Sequence, residues 1–330
     1  MKLLRFEADG AKRIGFLHRG RAIDLEAGRR ALAEENPACP WDVPLQGGIH
    51  DIMRRGGWTL DNLRALADAV LESEPSGLVD FDVNDIRFLN PVPGHSRIFT
   101  CRGLNPNTLW TQHVFALPAY PTFDLATRTG LIGPHDPTVL GPYPPGYEYE
   151  NQAPPSWCPE LTVVIGKGGH EIPRDQALAH VAGYTIFIDG ADLGTSLAAH
   201  RPGYSPEECL RFGTEPTYGR WCLNHAIGPW ITTADELPDP YSVEFTLIDS
   251  GLVIDHGYAT SLIFGVDEVV HFFSRLLTLE PGDLITMSSP GFDGLFFRPD
   301  YRDQPDPYIR VHSPQLGNTL NPIVDRRHAS

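Results

Sequence analysis

Pro159-Glu160-Leu161-Thr162-Val163-Val164-Ile165-Gly166-Lys167-Gly168, followed closely by His180-Val181-Ala182-Gly183-Tyr184-Thr185-Ile186-Phe187-Ile188-Asp189, decides how this 330-residue chain is read. Leu161 to Ile165 and Tyr184 to Ile188 are short apolar runs, rich in β-branched and aromatic residues, and read as strands. Gly166-Lys167-Gly168-Gly169 looks like a phosphate loop. It lacks the G-x-x-x-x-G-K-[ST] spacing, and no Ser or Thr follows the lysine, so it reads as a hairpin turn.

Outward from these runs the pattern persists. Val243 to Ile248, Leu252 to Asp255, Leu284 to Met287 and Ile309 to His312 are further strand signals, and Asp249-Ser250-Gly251 between the first two marks a hairpin. Helical patterns are few: Pro173 to His180, with proline at a favoured first position, and Val266 to Leu279. Pro134 to Ser156 carries seven prolines and three tyrosines without periodicity. It predicts a long ordered loop or surface excursion, and loops of that length are often functional. Upstream, Met1 to Phe6, Ile14 to His18 and Ala22 to Leu25 read as short antiparallel strands, the last two joined by a turn at Arg19-Gly20-Arg21. From the N-cap Thr59, residues Leu60, Leu63, Leu66, Val70 and Leu71 recur at helical spacing through Glu72. Asn90-Pro91-Val92-Pro93-Gly94-His95 breaks the pattern, and Ile98-Phe99-Thr100-Cys101 restarts as a strand. The expected organisation is a small N-terminal α/β domain over 1–90 and a larger, mostly β domain over 91–330, an α+β chain in all.

Composition narrows the function. The chain has 26 basic and 42 acidic side chains, so its net charge is 26 − 42 = −16. That balance argues against nucleic-acid binding, which rests on clustered Lys and Arg, and against attachment to anionic lipid. No apolar run approaches the ~20 residues of a membrane helix, and Arg5 and Glu7 come too early for a signal peptide. The expectation is a cytosolic protein with a small-molecule substrate. Its five cysteines are odd in number, well separated, and form no C-x-x-C pair, so unpaired thiols are expected.

Taken in order, Cys101-Arg102-Gly103-Leu104-Asn105, Leu131-Ile132-Gly133-Pro134, the two quoted segments, Ile227-Gly228-Pro229-Trp230-Ile231-Thr232-Thr233, Leu279-Glu280-Pro281-Gly282-Asp283-Leu284-Ile285 and Gly317-Asn318-Thr319-Leu320-Asn321-Pro322-Ile323-Val324 resemble the fumarylacetoacetate hydrolase family from about residue 96 to Val324. The resemblance implies a mixed β-roll catalytic domain, commonly a homodimer, and a divalent cation, usually magnesium or manganese, held by two glutamates at i and i+2 on a strand and an aspartate on a later one. Side chains two apart on a strand share a face, and hard oxygen ligands suit a hard cation.

In this chain the matching metal positions are Cys158, Glu160 and Asp189, so a soft thiol stands where an oxygen ligand belongs. A gapped alternative lets Glu150 serve instead. The family's helical histidine and glutamate, which activate water, match Leu109 and Gln112; His113, one turn beyond Leu109, is the alternative proton carrier. Arg220 stands where the family carries a lysine, with a planar fork suited to a carboxylate, while Leu223 loses an acid. Ala191 and Leu193 replace a serine and an arginine. The candidate substrate-binding residues are Arg102, Asn105 and Ser289, with Tyr149 of the proline-rich loop lining the pocket, and the candidate catalytic residues are His113, Arg220 and Glu160.

The expectation is therefore an enzyme acting on an oxo-acid-like or polyketone-like metabolite by carbon–carbon cleavage, decarboxylation, isomerisation or cyclisation. The alternatives are an ordinary magnesium-dependent acylpyruvate-type hydrolase and a catalytically silent binding subunit.

Overall fold

The computed structural model describes residues 1–36, 38–92, 97–102, 119–126, 130–141, 155–192, 224–287, 301 and 304–326. At its N-terminus β1 (Lys2–Ala8), β2 (Ala11–His18) and β3 (Arg21–Asp24) form an antiparallel meander. Both connections are two-residue turns, Asp9-Gly10 and Arg19-Gly20, with φ of 50°, 71°, 47° and 79°. Two consecutive positive-φ residues give the turn whose twist matches the flanking strands, and glycine takes the second position without steric cost.

Asp24 ends β3 and caps α1 (Leu25–Glu35) by accepting a hydrogen bond from the Ala27 N–H at 3.0 Å. This helix was not anticipated from the sequence. Its pattern is blurred by Gly28, where a Cβ would lie 2.7 Å from Val70 Cγ2, and by Arg29, which is buried against Glu26. After a π-helical turn at Asp51–Arg55, α2 (Leu60–Ser73) begins where expected, with the Thr59 hydroxyl accepting from the Asn62 N–H at 3.1 Å. Leu63, Leu66, Ala67 and Val70 form its buried face.

The remaining strands are β4 (Asp80–Asp82), β5 (Arg87–Leu89), β6 (Ile98–Arg102), β7 (Thr122–Ala126), β8 (Leu131–Ile132), β9 (Thr138–Leu140), β10 (Pro155–Ile165), β11 (Val181–Asp192), β12 (His225–Thr233), β13 (Glu244–Asp249), β14 (Leu252–Tyr258), β15 (Leu284–Thr286), β16 (Tyr308–Ser313) and β17 (Gly317–Asp325), with α3 (Val266–Leu276) between β14 and β15. Among the described residues, twelve strands make one mixed sheet. Its order is β4-β3-β2-β1-β12-β11-β10-β15-β6-β7, with β5 on β1 and β8 on β12. Five more form a second sheet, β14-β13-β16-β17-β9. The class is α+β and mostly β, as expected.

Hydrogen bonding runs across the sequence break near residue 90: β1 pairs with β12, Lys2 opposite Thr232. One apolar cluster likewise joins Leu3, Phe16, Leu63 and Val70 to Val164, Phe187, Ile231 and Leu284. The other large cluster lies on the opposite face of β10 and β11, where Phe273 of α3 packs against Phe99 and Phe123 at centroid distances of 4.9 and 4.8 Å.

Three local readings need correction. Pro173 to His180 is a 3-10 helix over Arg174–His180, with Pro173 just before it. α3 stops at Leu276 because Leu277 is extended and Leu279 bridges Gly169. That bridge also means Gly166 to Gly169 is no tight hairpin; it opens the connection to β11, with the Gly166 and Lys167 N–H groups donating to the His180 carbonyl. The Ser250-Gly251 hairpin between β13 and β14 stands as read, with φ of 47° and 87°.

Candidate functional site

β10 and β11 pair antiparallel with Cys158 opposite Asp189, Glu160 opposite Phe187 and Thr162 opposite Thr185. Residues alternate between faces along a strand, and direct cross-strand partners share one. Cys158, Glu160, Thr162, Thr185, Phe187 and Asp189 therefore lie on a single face. Leu161, Val163, Ile165, Ile186 and Ile188 lie on the other, inside the core that includes Phe273.

Polarity on the first face rises row by row toward one end of the strands. The innermost row is apolar, with Ile98, Leu284 and Val164 in register. The next is Thr100, Thr286, Thr162 and Thr185, four fully buried threonines on four adjacent strands. Among the described residues the hydroxyls of Thr162, Thr185 and Thr286 make no hydrogen bond. Beyond them come Glu160, 4 % exposed, and then Asp189, 7 % exposed, opposite the half-buried Cys158. Buried carboxylates are rare and costly unless paired, coordinated or used. The field of Glu160 reaches the opposite face: burial pushes the Cys101 thiol well above its ordinary range, and the Glu160 charge adds to the effect. Cys101 is thus a protonated packing residue.

β12 adds a residue that the sequence reading passed over. His225 opens the strand, is buried, and sets Nδ1 3.3 Å from Asp189 Oδ1. The Gly190 N–H points at the same nitrogen, also at 3.3 Å. The ring stacks on Phe187 at a centroid distance of 5.3 Å and an interplanar angle of 19°. No spacing in the sequence links His225 to Asp189. The register, with Phe187 opposite Ile227 and Ile188 opposite Ala226, brings them together.

The polar rows lie at the end of the strands where β6 finishes at Arg102, β11 at Asp192 and β15 at Thr286, and where β10 and β12 begin. In the chain, Asn105 and His113 follow β6, Tyr149 and Glu150 precede β10, Arg220 precedes β12 and Ser289 follows β15. All six lie outside the described residues, as do the side chain of Arg102 and residues Leu109, Gln112, Leu193 and Leu223. Of the expected site residues, the structure brings together Cys158, Glu160 and Asp189 on one face.

As donors for a cation, Glu160 and Asp189 are two hard carboxylates of the kind magnesium and manganese prefer, whereas Cys158 is soft. Among the described residues no three His, Cys, Asp or Glu side chains are grouped to hold a metal ion. Also among them, no helix is long and apolar enough to cross a membrane.

The chain is 25% identical over 288 residues to the oxaloacetate tautomerase FAHD2A, mitochondrial, of Homo sapiens, covering 86% of this chain and 82% of that protein. It is 27% identical over 305 residues to the maleylpyruvate hydrolase of Aquipseudomonas alcaligenes, covering 88% and 90%. The crystal structure of maleylpyruvate hydrolase from Sphingobium sp. SYK-6 in complex with manganese(II) and pyruvate has the same fold, with a TM-score of 0.64 at 22% identity, covering 98% of this chain and 99% of that one. The family model described as fumarylacetoacetate (FAA) hydrolase C-terminal matches residues 100–324, well over half of the sequence, and this chain belongs to the fumarylacetoacetate hydrolase family.

Proposed function

We propose that this protein is an enzyme that moves protons on a small oxo acid, with keto–enol tautomerisation or isomerisation as its central step. The observation that supports this most is the pair of buried carboxylates, Glu160 and Asp189, on one face at the end of the strands. Enolisation, decarboxylation and carbon–carbon cleavage of oxo acids all pass through an enol or enolate, whose formation needs a positioned proton acceptor and donor. In this reading Glu160 exchanges the proton at the carbon beside the oxo group and the threonine row below it excludes water. Arg220, Arg102 and Asn105 bind the substrate's anionic and oxo groups, Tyr149 and Ser289 line the site, and His113 is the second proton carrier. Alternatively Glu160 and Asp189, with Cys158 beside them, would hold a magnesium or manganese ion, which when bound polarises the substrate oxo group, and His113 rather than Glu160 then carries the proton. A cytosolic location and assembly as a homodimer belong to the same proposal.

Replacement of the water-activating pair by Leu109 and Gln112 favours proton transfer over hydrolysis. The likeness to maleylpyruvate hydrolase keeps hydrolysis as the second reading. The test is a panel of oxaloacetate, followed by the ultraviolet absorbance of its enol, and acylpyruvates, followed by pyruvate release, with and without added manganese(II). Enol conversion without pyruvate release supports tautomerisation, pyruvate release supports the hydrolase, and no turnover of any member rejects both.

A further inference from the structure

We infer that Cys158 sets the cation preference of this site, so that it takes thiophilic divalent ions of the zinc and cadmium kind ahead of magnesium. The inference rests on the reading above in which Glu160 and Asp189 hold a divalent ion, and it concerns which ion that is.

Register decides which donors can meet. Asp189 on β11 lies directly opposite Cys158 on β10, whereas Glu160 lies diagonally, two residues further along β10. Directly opposed residues have Cβ atoms about 4.5–5.5 Å apart, and diagonal neighbours stand about 7–8 Å apart. Zinc bonds sulfur at about 2.3 Å and carboxylate oxygen at about 2.0–2.2 Å, so both donors of one tetrahedral ion are about 3.5 Å from each other. The opposed pair suits that span. The second carboxylate has to come from the next row, and among the described residues the three side chains are not drawn together as a finished site. The first two donors that an ion meets across the strands are therefore an oxygen of Asp189 and the sulfur of Cys158.

Burial points the same way. Asp189 is 7 % exposed and Cys158 half-buried, so the sulfur is the more open of the two. Of the three described cysteines only Cys158 lies on the polar face; Cys101 is in the apolar core behind it and Cys39 follows α1. Magnesium gains little from such a pair, because it demands near-octahedral oxygen ligands and gives up its waters reluctantly. Thiolate sulfur selects zinc and softer ions instead.

Metal-stripped protein is titrated with cadmium(II), followed by the ultraviolet sulfur-to-cadmium charge-transfer band, and with magnesium(II), followed by calorimetry. The band is expected on wild type and on Cys39→Ser. It is expected to vanish in Cys158→Ser, whose cadmium affinity falls about 100-fold, one ligand's share of the binding energy of a four-ligand site. Cys158→Glu is expected to reverse the order, binding magnesium about tenfold more tightly than wild type does, because an added oxygen charge strengthens a hard site. The inference is overturned if cadmium binds without the band, if Cys158→Ser keeps the wild-type cadmium affinity, or if wild type binds magnesium as tightly as Cys158→Glu. Should the variants fail to fold, alkylation of wild type followed by peptide mass analysis decides: protection of Cys158 by cadmium supports the inference, and equal labelling with and without cadmium overturns it. None of these readouts needs turnover. Wild type inactive on the oxo-acid panel therefore overturns the functional reading alone, whereas active wild type that fails the cadmium titration overturns the ion preference alone.

Discussion

Toward the end of the strands that carries the polar rows, the two faces of the β10–β11 pair are made by the same two strands and are both largely buried, but differ in chemistry. One presents Leu161, Val163, Ile165, Ile186 and Ile188 to the core; the other presents Cys158, Glu160, Thr162, Thr185 and Asp189. Burial by itself therefore does not distinguish packing from function in this sheet. The apolar face stabilises the fold by removing hydrocarbon from water. The polar face contributes little of that kind and bears the desolvation of carboxylates and hydroxyls, which points to its use in chemistry.

The sharpest way to break this contrast is Glu160→Gln. We expect turnover of the active substrate to fall about 10²- to 10⁴-fold while thermal unfolding, followed by circular dichroism, is nearly unchanged; a variant with wild-type kcat would move Glu160 to the structural side. The converse substitution lies next to it in the chain. Leu161→Ala, fully buried on the apolar face, is expected to cost about 2–5 kcal/mol of stability in urea unfolding, with kcat of the folded fraction retained.

Acids outside the polar rows, one buried and one half-buried, sharpen the comparison further. Asp283 accepts the fork of Arg97, Nε at 2.8 Å and Nη2, and also the Glu280 N–H at 2.7 Å, joining β6 to β15. Arg97→Ala removes the fork from a carboxylate that is 1 % exposed. It is expected to cost about 1–3 kcal/mol, measured by the same unfolding titration, and to leave KM unchanged. The smallest effect is expected at Glu26. Burial alone would raise its pKa, but the Arg29 fork and the Leu45 N–H outweigh that and hold it below the ordinary carboxylate value. A lowered folded pKa contributes stability that is complete above the unfolded value and is lost as pH falls through the folded one. Glu26→Gln should therefore make unfolding less acid-sensitive in that window, measured by Tm against pH, without altering the site.

Legibility in the sequence followed the range of the interactions. β10, β11 and α2 were readable because their signals are local: apolar runs bounded by glycine, and Thr59 ahead of leucines at helical spacing. α1 was not, because Gly28 and Arg29 look like breaks until Val70 and Glu26 are in place around them. Within the site, Glu160 and Asp189 could be named from the motif that surrounds each. His225 could not, since what distinguishes it is contact with residues of the neighbouring strand β11, Asp189 among them.

The sequence alone determined the class of the fold and its family and named two candidate acids, because alternation, turn residues and motif order are properties of neighbours along the chain. Only the tertiary structure decided that the acids share a face with a thiol and a threonine row and that a histidine from a third strand meets one of them. Sheet register couples residues far apart in sequence, and the pairing of whole strands sets it.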